Sequence, residues 1–462
     1  MNRISNLPVI LLVLLLLGTG LSACDADAPA DATDETAPPP ASVEGPATQE
    51  AAPPEIGSEY RDEIESLATE PRVQEAFRII EELEPRTIED LITITEIPAP
   101  PFLEDERADA YVEMLRDAGL DEVYRDDEGN VIGVRPGTVG ARTIVVSAHL
   151  DTVFPEGTDV TVEIRGDTLF APGVGDDSRG LAMLLTVVRA MEATDLQTED
   201  DVWFVGTVGE EGLGDLRGVK HLFREGGPRI DAFLSVDGGG DDRVINQALG
   251  SLRYRVTFSG PGGHSWGDFG MVNPAHAQGV AVQLFTDRAR EFVASGPRTS
   301  YNVGRVGGGT SVNSVPVDVW MEVDMRSIDP DRLQGIGELF RETMTEALER
   351  YNARHTSGPQ LTVDLDRVGD RPSGEIPADV PLIQRAMAAA AWFGGEPSLE
   401  RSSTDSNVPI SMGVPSATVG RGGAGGGTHS LDEWWLNEDG HIAIQRTLLL
   451  VVAEAGLGST PQ

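Results

Sequence analysis

The chain has 462 residues, 40% of them hydrophobic, which is enough to bury a core in two or three domains. It carries 76 Asp and Glu against 35 Lys and Arg, a formal net charge of −41, and Lys220 is its one lysine. A surface this acidic repels nucleic acid and anionic membrane surfaces, so neither is expected as a partner.

The N-terminus reads Met1-Asn2-Arg3, then an apolar run from Val9 to Leu17, then Leu21-Ser22-Ala23-Cys24. A charged start, a short apolar stretch and a small-residue processing site describe a secretory signal. Leu-Ser-Ala-Cys resembles the bacterial lipoprotein signal, which implies a signal peptide over 1–24 and lipidation of Cys24. The protein is then expected to be exported and lipid-anchored to a bacterial membrane, on its periplasmic or cell-surface side. Cys24 is the only cysteine, which excludes an intramolecular disulfide.

Residues 25–72 open on Ala, Pro, Asp, Glu and Thr with few large apolar side chains, and the expectation for this span is a disordered acidic tether. From about Val73, apolar strands alternate with amphipathic segments: Thr143–Ala148, Val202–Val208 and Ala232–Val236 read as strands and Leu181–Ala193 as a helix. That alternation predicts an α/β layer. The pattern then changes to strand Arg253–Phe258, helix Pro274–Val293, strands Ser300–Val306 and Val317–Met325, helix Asp329–Tyr351 and strand Gln360–Asp366. This β-α-β-β-α-β order is ferredoxin-like. After Pro372 the α/β pattern resumes, with helices Val380–Trp392 and His441–Ala455 around a strand at Ser416–Val419. The expectation is one catalytic domain, 73–250 and 370–457, interrupted by an inserted domain at 251–369.

The chemistry gathers at strand and loop ends. Thr143–Ala148 runs into His149-Leu-Asp151, and Val202–Val208 into Gly209-Glu210-Glu211-Gly212. Ala232–Val236 runs into Asp237, and two glycine-rich loops carry Asp176-Asp177 and His429. In open α/β sheets, sites lie beyond the carboxyl ends of the strands. Histidine with carboxylate suits zinc, and a metal lets several carboxylates share one dry cleft. His149, Asp176, Glu211, Asp237 and His429 are the candidate ligands. Glu210, free of the metal, is left as the general base for a zinc-bound water, and Asp151 as the residue that orients the His149 ring.

The order His149-x-Asp151, Asp176-Asp177, Glu210-Glu211, Asp237 and His429 resembles the M20 family of di-zinc metallopeptidases and deacylases, from about residue 75 to 457. The resemblance implies a zinc-exopeptidase-like α/β catalytic domain whose ferredoxin-like insertion acts as lid and dimerisation surface, and so a homodimer. It implies two zinc ions, with cobalt or manganese possible. Asp176 would bridge them, Asp237 pair with His149, and Glu211 with His429. Aspartate at 237 fits the peptidase T and aminoacylase side of the family. Gly260-Pro-Gly-Gly-His264-Ser265 matches the lid histidine that supports the oxyanion, often from the neighbouring subunit. Asn313 and Arg326 match residues that hold the substrate's carbonyl region and free carboxylate.

Two positions depart from the family: Ser178 stands where many members have lysine, and Gly-Gly-Gly-Thr precedes His429. Both bear on the substrate more than on the mechanism. The expected activity is hydrolysis of the amide bond of small peptides or N-acyl amino acids. Exopeptidase and deacylase share every residue named. The alternative is a non-catalytic peptide- or zinc-binding lipoprotein on the same scaffold.

Overall fold

The structure is a computed structural model and describes residues 55–240, 242–355 and 358–459. The signal segment, Cys24 and most of the expected tether lie outside the described residues. The tether is shorter than expected, because Ser58–Ala68 is a helix and a second helix starts at Pro71. Ser58–Ala68 is dominated by charge, but Tyr60, Ile64 and Leu67 fall on one face at helical spacing. That face packs on the main core, with Ile64 and Ala68 buried. The low average hydrophobicity hid a stripe that a helix can bury.

The main sheet is mixed, with parallel strands Asp201–Thr207, Thr143–His149, Ala232–Val236 and Ser416–Val419 side by side at its centre. Successive side chains of a strand point to opposite faces. Ile144 and Val146 therefore join the large core on one side, and Val145 joins Val205 and Phe233 on the other. Helix Ser178–Ala193 is buried almost all round, as its nearly unbroken apolar sequence requires. It lies against Thr143–His149 and under the helices Pro71–Glu82, Glu84–Thr95 and Gly440–Ala455. Asp177 caps it, accepting a hydrogen bond from the Gly180 amide.

The insertion forms a four-stranded antiparallel sheet in the order Thr299–Gly308, Asp318–Ser327, Gly250–Ser259, Thr362–Arg371. Helices Pro274–Val293 and Pro330–Asn352 cover it and share its own core, in which Phe285 packs edge-on against Phe340. This is the ferredoxin-like arrangement. Strands Gly250–Ser259 and Thr362–Arg371 are its two roots in the α/β layer. No helix among the described residues is long and apolar enough to cross a membrane.

Candidate active site

The four central strands are parallel, so their carboxyl ends come out along one edge of the sheet. The register sets His149 against Thr207 and Val236 against Val419. His149 therefore lies beside the loop that carries Glu210 and Glu211, and Asp237 beside the segment that leads to Arg421. A small antiparallel sheet supplies the other two loops: Thr168–Phe170 pairs with Trp434–Leu436, which pairs with Ala424–Gly426. Asp176 follows the first of these strands, and His429 lies between the last two. Glu433 ties the loops together, its carboxylate accepting the amides of Gly173, Gly175 and Asp176 at 2.9, 3.0 and 2.9 Å.

At the centre, Asp176 Oδ1 is 3.1 Å from His149 Nε2 and Asp176 Oδ2 is 3.3 Å from His429 Nε2. His429 Nε2 is also 2.8 Å from Glu211 Oε1. Donor atoms of His149, Asp176 and Asp237 lie within 4.8 Å of one another, and so do those of Asp176, Glu211 and His429. One carboxylate thus faces two imidazoles, each with a further acid beside it.

The electrostatics of this cluster are those of a site short of positive charge. Burial works to raise the Asp176 carboxyl, but hydrogen bonds from His149 and His429 prevail and hold it well below its ordinary range. The same contacts, first with Asp176 and then with Glu211, push His429 up to about 10. Burial, reinforced by Asp176, pushes Asp237 up. Divalent cations would relieve this crowding of acids, and the nitrogen and oxygen donors suit zinc. The residues present fit a pair of metal ions. Arg421 supplies the nearest fixed cation, its Nη1 lying 3.6 Å from Asp176 Oδ1 and 3.8 Å from Asp237 Oδ1.

Asp151 meets the His149 ring through its main chain and serves a neighbouring loop with its carboxylate. The His149 Nδ1 position is held by the Asp151 carbonyl oxygen at 2.9 Å, with the carboxylate 3.7 Å away. The carboxylate instead accepts the amides of Glu210 at 2.9 Å and Glu211 at 2.8 Å. Two backbone donors on a buried loop need acceptors, and a carboxylate satisfies both.

Glu210 is buried beside Arg371, whose Nη1 is 3.0 Å from Glu210 Oε1. Burial pushes the Glu210 carboxyl well above its ordinary range, Arg371 opposes that, and Glu211 adds to it. A cleft of about 410 Å³ opens over Asp176, Glu210, Glu211, Asp237 and His429, and Arg243, Arg253, Arg326 and Arg371 also line it. Arg326 anchors its Nε on Asp324 at 2.7 Å, which leaves its Nη groups without a hydrogen-bond partner among the described residues.

His264 and Asn313 do not line this cleft. They are exposed neighbours of one another: His264 ends a short strand of the insertion that pairs with Ser314–Val315, Asn313 is the turn residue just before that partner strand, and the Ser265 amide donates to the Asn313 carbonyl at 3.0 Å.

Sequence reasoning missed Arg371, Arg421, Glu433 and Arg253. The strand-end rule points to Arg421, which follows Ser416–Val419. Glu433 sits in the His429 motif itself. Arg253 and Arg371, on the root strands of the insertion, gave no local signal.

Comparison with known proteins shows the family. Residues 145–452 match the family described as Peptidase family M20/M25/M40, and the chain belongs to it: it is a metallopeptidase-type hydrolase. It is 24% identical over 356 residues to the uncharacterized protein YqjE of Bacillus subtilis, covering 73% of this chain and 91% of that one. It is 25% identical over 239 residues to the succinyl-diaminopimelate desuccinylase of Corynebacterium glutamicum, covering 50% of this chain and 64% of that one. Among solved structures, the aminopeptidase PepT of Bacillus cereus has the same fold, with a TM-score of 0.63 at 21% identity, covering 80% of this chain and 99% of that one. The dipeptidase Dug1p of Saccharomyces cerevisiae matches with a TM-score of 0.66 at 15% identity, covering 83% and 98%.

Proposed function

We propose that the protein hydrolyses the amide bond of small peptides or N-acyl amino acids that end in a free carboxylate, with Glu210 as general base. The observation that carries this reading is Asp176, whose two carboxylate oxygens face His149 and His429 beneath a cleft that also holds Glu210 and Arg326, whose Nη groups have no hydrogen-bond partner among the described residues.

Two divalent ions, zinc by preference for these donors, would be held by His149 with Asp237 and by Glu211 with His429, sharing Asp176. When bound they supply Lewis acidity to the scissile carbonyl and lower the pKa of water. Glu210 does the proton work. Its Oε1 is engaged by Arg371, and Oε2 is left free to take a proton from the attacking water and hand it to the departing nitrogen. Arg371 favours the ionised form that a base needs. Arg326 presents two parallel donors to the substrate carboxylate, which suits an exopeptidase or a deacylase.

The same reading makes the protein a homodimer in which His264 and Asn313 reach the cleft of the other chain, since neither lines its own. Trp266 and Phe269, 87% and 90% exposed beside His264, would be covered in that arrangement. It also anchors the protein to a bacterial membrane through lipid on Cys24.

The test is Glu210→Gln, assayed on dipeptides, tripeptides and N-acyl amino acids alongside elemental analysis. Retained metal with lost turnover supports the reading, and turnover at the wild-type rate refutes it. Whether free amine is released from the peptides or from the N-acyl compounds separates exopeptidase from deacylase.

A further inference from the structure

The loop that carries Glu210 and Glu211 is held from two sides. On the α/β side, Asp151 takes both amides. On the other side the grip comes from the roots of the insertion. In the ladder between Gly250–Ser259 and Thr362–Arg371, Arg371 faces Ser251 and Arg253 faces Gly369. Arg371 donates from Nη1 to Glu210 Oε1 at 3.0 Å and from Nη2 to the Glu210 carbonyl oxygen. Arg253 donates from Nη1 to the Gly212 carbonyl at 2.6 Å. The Asp370 amide donates to the Asp215 carboxylate at 2.8 Å. Glu210 and Glu211 are flanked by Gly209 and Gly212, at φ of 68° and 52°, so this stretch has little conformational preference of its own and takes its place from what holds it.

We propose that Arg371 is a positioning residue: its guanidinium fixes the Glu210 side chain relative to its own backbone, so that Oε2 points into the cleft. The seat of the insertion thereby sets the aim of the base. Arg253 completes the latch by holding the next carbonyl of the loop but one. The geometry requires a fork, because one group must bind a carboxylate oxygen and a main-chain carbonyl at once. A lysine ammonium is a point charge and does this poorly. Arg371 touches no substrate in this scheme. The proposal rests on Glu210 being the base.

The test uses the metal-loaded full chain. Misplacing a catalytic group by about 1 Å costs on the order of 100-fold in rate, so Arg371→Met should lower kcat by about that factor, with KM changed less than about 3-fold. Metal content should stay at the wild-type level. Added guanidinium should restore about 10-fold of the loss, a rescue that a general loss of packing would not show. Arg371→Lys should fall between the two, and it carries the test if Arg371→Met does not fold. Arg253→Gln should lower kcat by about 5-fold, in line with a lost positioning contact. Wild-type kcat in Arg371→Lys or Arg371→Met would overturn the proposal, as would a kcat loss that follows metal loss and ignores guanidinium. Glu210→Gln separates the two claims. If that variant turns over substrate normally, the base assignment fails. If it is inactive while Arg371→Met is fully active, only the positioning role fails.

Discussion

Asp151 holds the Glu211 amide at 2.8 Å with one carboxylate oxygen, while the other holds the Glu210 amide at 2.9 Å. Through its carbonyl it also holds His149 at 2.9 Å. A single buried residue that binds no metal in the proposed arrangement thus sets two ligands and the base. Asp151→Asn keeps the volume but turns one acceptor into a donor that faces an amide N–H. Activity or metal affinity should fall about 10- to 100-fold, as for other residues that orient metal ligands. Kinetics with metal titration check this, and an unchanged variant would refute the role of the Asp151 carboxylate.

His429 and His264 should separate cleanly. His429→Ala removes an imidazole from the acid cluster and should cost metal content. His264→Ala should abolish turnover with metal retained. Elemental analysis of both proteins decides, and equal metal loss would make His264 structural.

The two-chain site makes a stronger demand. In a dimer of Glu210→Gln with His264→Ala, one cleft combines an intact Glu210 with an intact partner His264. Remixing the two inactive variants in equal amounts should restore about a quarter of wild-type activity, the fraction expected for a random twofold dimer. A mixture as inactive as its parts would place His264 outside the partner's site.

Asp405 gives a pH signature. It is fully buried, its Oδ2 accepts from Thr207 and its Oδ1 has no hydrogen-bond partner among the described residues, and burial pushes its carboxyl up to about 6 despite the Thr207 hydrogen bond. The folded state therefore binds a proton more tightly than the unfolded chain, so this group's contribution to stability is present at low pH. It is lost as pH rises from about 4 through 6, a change of about 3 kcal/mol. Denaturant unfolding of the metal-free protein should show that fall in the wild type, and Asp405→Asn should flatten it. Parallel pH curves would refute the assignment.

How far the site could be read depended on the range of the interactions. His149, Glu210, Glu211 and Asp237 were legible because each follows an apolar strand, and parallel strands deliver their ends to one edge. The insertion was legible from its change of pattern, with helix Pro274–Val293 found at its observed bounds. Helix Ser58–Ala68 was not, since its apolar stripe is narrow and its burial comes from helices late in the chain. Arg371 reaches Glu210 across 161 positions of sequence, and no local pattern encodes such a contact. Asp151 was read in one part only: its position near His149 suggested the ring contact it makes through its carbonyl, but not that its carboxylate also serves two amides of another loop.

The measurement that tests the central claim most directly is titration of zinc into chelator-treated protein, with cleavage of its best amide substrate followed at each addition. The account predicts no turnover without metal and activity that saturates at two equivalents per chain. Undiminished cleavage by the metal-free protein would contradict it.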